Sequence, residues 1–360
     1  MNTGNMLTDF GGMIEEFTAG AISTTSQIQN CISRGIPIHP RGTGHSCMGQ
    51  SMRLHNTAVK PELHEITLQG DEVYASSSST LLDIDNYINQ YGYMLPVSPD
   101  HRELSLGGVL SVGGYDLESM QNGSLVDHVI SLDILTKKGV LQRDSTDNSS
   151  LCGIGNHGII LSARLRCIKK SIGIYLVFTR ISDIQEYVRH VEQCIQLNST
   201  RQKSTVCCVE WCWDEAWVIS TSADNNIGGI WVDDLRTFIQ KRNDEWSHKN
   251  QFKYHIWSSH LVELNHLPDQ LNDSLQLQRL YRSMGVHVIV EAVLIKASRL
   301  YEHYPHYSQS EFVVSVSVFC NCTETQHDAA KIVSEIAIAS SVRYKHKRDA
   351  RTYRYGYGVL

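Results

Sequence analysis

A chain of 360 residues that is 41% hydrophobic and 19% charged has apolar side chains enough for one large or two ordinary domains, each with its own core. A net charge of −6 excludes a surface built to neutralise phosphates, so nucleic acid is not an expected partner. No stretch approaches the ~20 apolar residues that span a bilayer, and the acidic start MNTGNMLTDFGGMIEEF lacks the basic flank and apolar run of a secretory signal, so a soluble, cytoplasmic protein with no membrane partner is expected.

In chain order, residues 21–35 place Ile22, Ile28, Cys31 and Ile32 on a roughly helical repeat that Gly35 can end. Residues 36–40 read as a short strand running into RGTGHSCMGQS, where Gly42, Gly44 and Gly49 let the backbone turn its N–H groups toward an anion. Residues 63–68 and 72–75 pair as strands around Gly70, and residues 80–91 carry a helical stripe of Leu81, Leu82, Ile84, Ile88 and Tyr91. A second glycine passage, LGGVLSVGG at 106–114, precedes strands at 129–135 and 139–143. A third, GIGNHGIILSARLR at 153–166, opens another strand.

From about Ser171 the pattern changes. Strands are expected at 172–179, 205–213, 217–221 and 312–319, and helices at 182–197, 233–245 and 329–339. The expected fold class is α+β: a first domain over 1–170, a second α+β domain over 171–340 whose antiparallel sheet is covered by helices, and a segment 341–360 returning to the first domain. The ten cysteines (Cys31, Cys47, Cys152, Cys167, Cys194, Cys207, Cys208, Cys212, Cys320, Cys322) show no repeated CxxC pair, and the seventeen histidines form no HExxH, so buried thiols and no metal are expected. Four glycosylation sequons, at Asn148, Asn198, Asn272 and Asn321, carry no information without a secretory signal.

Three glycine-rich stretches within 170 residues need a reason, because glycine weakens regular structure and is useful only where the backbone turns or approaches something closely. A dinucleotide is such a partner: its pyrophosphate takes converging backbone N–H donors and its flat ring takes close backbone approach.

RGTGHSCMGQS, the segment DHRELSLGGVLS at 100–111 and the later GNHGIILSARL together resemble the flavin domain of the vanillyl-alcohol-oxidase-type (PCMH-type) FAD-linked oxidases, most of all cytokinin dehydrogenases, over about residues 20–170. The resemblance implies a two-domain PCMH-type fold with FAD on Arg41, Gly42, Thr43, Gly44, His45, Ser46, Gly49 and Gln50. Further contacts would come from Gly107, Gly108, Ser111, Gly114, and the strand backbone at Gly158, Ile159 and Ile160. It also implies that His45 forms a covalent bond to the flavin, which would fix its orientation and raise its reduction potential. Some relatives carry a second tether, a cysteine where this chain has His101, so a single attachment is expected. Asp100 falls where cytokinin dehydrogenases place the base that takes a proton from the substrate amine; the plainer reading is an aspartate starting a turn after Pro99.

There are departures. Where the family has a glutamate in the substrate domain, this chain aligns Trp257, and the C-terminal RTYRYGYGVL lacks the family's closing pattern. Aromatic walls with a few polar groups suit small organic ligands, which makes Glu210, Trp211, Trp213, Trp217, Trp231, Trp257, His260, His287, Glu291 and Tyr355 candidates for a substrate pocket, though aromatics in strands are more often core. The expected function is an FAD-dependent oxidase or dehydrogenase that takes hydride from a C–H next to an amine or hydroxyl of a small molecule, in secondary metabolism, with oxygen or another acceptor. The alternatives are a degenerate flavin-binding scaffold and an NADPH-dependent FAD reductase of the same fold, which lacks a tethering histidine.

Overall fold

The structure, a computed structural model, describes residues 5–8, 15–18, 21–45, 57–61, 64–153, 155–170, 173–199, 207–212, 215–222, 229–239, 241, 254–297 and 310–323. They fall into two compact units, the first holding the described residues of 5–114 and 125–170 and the second those of 115–124 and 173–323. The helix expected at 329–339 and the segment 341–360 lie outside the described residues. No helix among the described residues is long and apolar enough to cross a membrane.

The first unit opens with a strand Ala21–Ile22 and a helix Thr25–Ser33, whose start is fixed by a capping box: Thr24 accepts from the Gln27 N–H and the Gln27 side chain accepts from Thr24 N. Gly35, at φ +65°, ends it. The chain then extends into the strand Ile38–Pro40, which joins Ala21–Ile22 and Thr57–Val59 in a small parallel sheet with Thr57–Val59 in the middle.

Beside it lies a five-stranded antiparallel sheet in the order Leu141–Ser145, Val129–Thr136, Gly158–Arg166, Glu72–Ser76, Ile66–Gln69. Ile28 and Cys31 from the helix, Ile38 and Val59 from the parallel sheet, and Leu135, Ile159 and Leu161 from the antiparallel sheet form one buried cluster. Each fully buried aliphatic side chain contributes about 1.5–3 kcal/mol, so this cluster holds the end of Ile38–Pro40, and the loop that follows it, against the larger sheet.

The glycine passage at 106–114 is partly helical. Residues Leu106–Leu110 are a short helix, not a loop, and its first turn is held by Leu106 N donating to Ser79 O (2.9 Å) and Gly107 N to Ser77 O (2.8 Å). A second helix, Leu81–Asn89, begins with another capping box, Thr80 with Asp83.

The second unit is built on a seven-stranded antiparallel sheet in the order Ile230–Val232, Ile174–Ile181, Glu215–Ser222, Cys207–Cys212, His287–Lys296, Phe312–Cys322, Tyr254–Val262. Helices Ile184–Ser199 and Leu267–Ser283 cover it. The Tyr187 hydroxyl donates to Ala292 O (3.1 Å), Gln278 Nε2 donates to Val288 O (3.2 Å), and Tyr281 is hydrogen-bonded with the buried Cys320. Cys320 pairs with Val288, so the helices lie on the face of Val288, Val290 and Ala292. Residues 235–239 are helical, and the remainder of the helix expected to Glu245 lies outside the described residues apart from 241. The described cysteines Cys31, Cys152, Cys167, Cys194, Cys208, Cys320 and Cys322 are buried thiols.

Candidate functional site

The loop after Ile38–Pro40 begins with Arg41 N donating to Val59 O (2.8 Å), which continues the parallel sheet by one hydrogen bond before the chain turns. Gly44 makes the turn at φ +87°, where a side chain would also meet Arg41 Nη2 at 2.8 Å. Thr43 ties the loop to the start of the Leu106–Leu110 helix, its hydroxyl accepting from Ser105 N at 3.3 Å. Gly42 sits directly against that helix start: a methyl there would collide with Ser105 Oγ and lie 3.7 Å from the Gly108 backbone, and a methyl at Gly108 would lie 3.0 Å from the same Oγ.

Two of the three glycine passages thus approach each other too closely for a side chain to stand between them. The third reaches the same place, because Gly155, at φ +74°, packs on Pro40, where a methyl would come within 2.5 Å of Cγ. Gly114 is buried at φ +66° against Val109 and Leu125. Ser111 Oγ donates to Gly107 O (2.7 Å), so that hydroxyl closes the helix end. Gly158 and Ile160 pair with Thr136 and Ile134 in the antiparallel sheet, and Ile160 is buried. Ser46, Gly49 and Gln50 lie outside the described residues.

His45 ends the described part of the loop. Its Nδ1 is 3.0 Å from Thr43 Oγ1, and its ring lies against His101, centroids 4.2 Å apart with planes tilted by 56°. Burial first, and then the neighbouring His101, push the His45 imidazole down to about 4, so it is neutral at physiological pH.

His101 belongs to a connection anchored from below by Asp85, a buried carboxylate that accepts from Leu95 N (3.0 Å) and from Arg102 Nη2 (3.1 Å). Leu82 N and Leu81 N donate to the carbonyls of Arg102 (2.9 Å) and Leu104 (3.0 Å). Asp100 is exposed on this connection, its Oδ1 accepting from His101 N at 2.8 Å. Sequence reasoning missed Ser77, Ser105, Gly155 and Asp85. Ser105 adjoins the LGGVL string and could have been included with it; Asp85 carries no local signal, since it reads as one polar position of a helix.

The substrate-pocket candidates divide by register. Glu210 pairs with both Trp217 and Glu291, and Trp257 with Phe319; Glu291, opposite Ser317, and His287, opposite Asn321, share one sheet face. Trp211 pairs with Val290 and His260 with Val316. Glu291 Oε1 lies 3.8 Å from Cys208 Sγ, Ser315 Oγ donates to the Tyr115 hydroxyl at 3.0 Å, and burial and the Arg282 charge lower the His287 pKa. Trp231 is in the edge strand and 46% exposed, its Nε1 donating to Asp233 Oδ1 at 2.7 Å and its ring meeting Tyr175 edge-on. Trp213 and Tyr355 lie outside the described residues.

Residues 21–145 match the family described as FAD binding domain. The glycine contacts of the Arg41–His45 loop and the Leu106–Leu110 helix fall inside this match. The domain is an FAD-binding domain of the FAD-linked oxidase family. Its fold is of the PCMH type, and the mixture of helices with antiparallel sheets makes the chain α+β.

Around this FAD-binding domain the chain is similar to cytokinin dehydrogenase 5 of Arabidopsis thaliana, at 28% identity over 175 residues, 42% of this chain and 32% of that protein. It is similar to cytokinin dehydrogenase 3 of the same plant at 27% over 213 residues, covering 52% and 40%. Cytokinin dehydrogenase 2 gives 29% over 175 residues, covering 44% and 35%. The matches thus span about a third to two fifths of the length of these curated relatives.

Proposed function

We propose that the chain is an FAD-dependent oxidase or dehydrogenase that removes a hydride from a C–H next to an amine or hydroxyl of a small molecule and passes the electrons to oxygen or another acceptor, in secondary metabolism. The observation that carries this reading is the contact of Gly42 with Ser105 and Gly108, which keeps side chains out of the place where two glycine passages meet inside the matched domain.

The residues present fit the cofactor. Arg41, Gly42, Thr43 and Gly44, with Gly107, Gly108, Ser111, Gly114, Gly158 and Ile160, would hold FAD, and Ser46, Gly49 and Gln50 are proposed as further contacts from the same sequence motif. Bound FAD supplies a two-electron acceptor. His45 is the proposed covalent tether: its imidazole is neutral at physiological pH, hence nucleophilic, and Thr43 Oγ1 holds one of its nitrogens. Asp100 is the proposed base, its carboxylate accepting the proton from the substrate's N–H or O–H as the adjacent C–H bond gives up its hydride. The second unit, where Glu210 pairs with Trp217 and with Glu291 across neighbouring strands, is the proposed substrate domain.

The test is the purified full chain. Yellow colour that survives acid precipitation, with a mass increase equal to FAD that disappears in His45→Ala, supports the tether; yellow colour lost on precipitation supports bound but untethered FAD. A colourless protein without FAD overturns the reading. Anaerobic bleaching by a panel of amines and alcohols, followed by peroxide detection in air, then separates an oxidoreductase from a scaffold that holds FAD without turnover.

A further inference from the structure

We propose that His45, His101 and Glu103 form a binding site for one divalent transition-metal ion in the flavin-free chain. One nitrogen of each imidazole and a carboxylate oxygen of Glu103 lie within 4.8 Å of one another, from two segments far apart in sequence. Two imidazoles and a carboxylate are the donor set that zinc and cobalt take in three-ligand sites with a fourth position for solvent. Ligand atoms around a tetrahedral ion with ~2.1 Å bonds stand about 3.4 Å apart. Glu103 is exposed, so rotation of its side chain can close the group while the backbone stays in place.

A second observation points the same way. A metal-bound histidine ordinarily gives its remaining ring N–H to a neighbouring acceptor, which fixes the tautomer and aims the ligand nitrogen. His45 has such a neighbour: Nδ1 is 3.0 Å from Thr43 Oγ1, which makes Nε2 the coordinating atom. Thr43 is itself fixed, since its hydroxyl accepts from Ser105 N at 3.3 Å. His101 lies against His45 with planes tilted by 56°, and a nitrogen of each ring lies within 4.8 Å of the other and of a Glu103 carboxylate oxygen.

The site does not rest on the flavin reading, and the two fail separately. The full chain, produced without flavin, is titrated with Co(II), whose visible absorption reports the number and geometry of its ligands, and with Zn(II) by equilibrium dialysis. One equivalent is expected to bind. His101→Ala should weaken binding at least about 100-fold and Thr43→Val about 10-fold, by analogy with the loss of outer partners. Glu103→Gln, a change at an exposed position, keeps the fold and should also weaken binding at least 10-fold, with the circular dichroism and melting of each variant confirming that it is folded. No binding at millimolar Co(II), or binding of unchanged strength in Glu103→Gln and His101→Ala, overturns the proposal. A chain that binds Co(II) through these residues but never FAD supports the metal site and sinks the oxidoreductase.

Discussion

His101 lies against His45 with ring centroids 4.2 Å apart, and burial first, then this neighbour, hold His45 down near 4. The unfolded chain protonates the same histidine near 6.5, so between these values the unfolded state carries more protons than the folded one. Stability at this position is therefore full above about 6.5 and declines as the pH falls toward about 4. Thermal melting of the flavin-free chain from pH 7.5 to 4.5, compared with His45→Asn, checks it. The variant lacks the titration, so the wild-type chain should lose more of its melting temperature across the range, and parallel curves would show that the His45 titration does not contribute.

Asp100 has two readings that one substitution separates. As the base of hydride abstraction it must carry a negative charge, whereas as a turn residue it needs only an oxygen to accept from His101 N, at 2.8 Å. Asparagine keeps that oxygen and removes the charge. Asp100→Asn is expected to leave flavin content and melting temperature unchanged and to slow flavin reduction by about two or more orders of magnitude. Stopped-flow absorbance with a substrate found in the bleaching screen measures it, and an unchanged rate would assign Asp100 to the turn alone.

How much could be read from the sequence depended on whether a signal was local. The strand before Arg41, the turn at Gly44 and the helix at 81–89 were legible because glycine, proline and a 3.6-residue repeat act over a few neighbours. The Leu106–Leu110 helix was not, since two of its five residues are glycine and its first turn is held by the distant carbonyls of Ser77 and Ser79. The helix Leu267–Ser283 was passed over for a related reason: its inward face is Leu267, Gln270, Leu271, Ser274, Gln278 and Tyr281, half of it polar, so no apolar stripe announces it. With that helix unread, its neighbours Tyr254–Val262 and His287–Lys296 also went unassigned. The meeting of His45 with His101 has no sequence signature, because it depends on how two connections are anchored.

The contact between Gly42 and Ser105 predicts a compensating pair. Gly42→Ala places a methyl on Ser105 Oγ, while the Ser105 Cβ would remain 3.4 Å away, a tolerable contact. The single variant should lower stability and FAD retention, whereas Gly42→Ala with Ser105→Ala should recover most of both. A double-mutant cycle in urea should show a coupling of about 1–2 kcal/mol. Additive effects would mean that the loop and the helix start do not press on each other as described.

Asp85 tests whether the connection carrying Asp100 and His101 depends on its buried anchor. Its carboxylate is 1% exposed and meets Arg102, itself 9% exposed, at 3.1 Å while accepting from Leu95 N. Asp85→Asn retains an acceptor for Leu95 N but leaves the Arg102 guanidinium buried without its counter-charge, an imbalance that costs about 3–5 kcal/mol. Arg102→Met together with Asp85→Asn removes the stranded charge and keeps most of the volume, so the double variant should be more stable than Asp85→Asn alone. Urea unfolding followed by far-ultraviolet circular dichroism gives the order. Because Asp85 holds the connection and touches no reacting group in the proposed chemistry, the double variant should also retain more FAD than Asp85→Asn alone. A double variant no more stable than the single one would show that Asp85 acts through Leu95 and not through the ion pair.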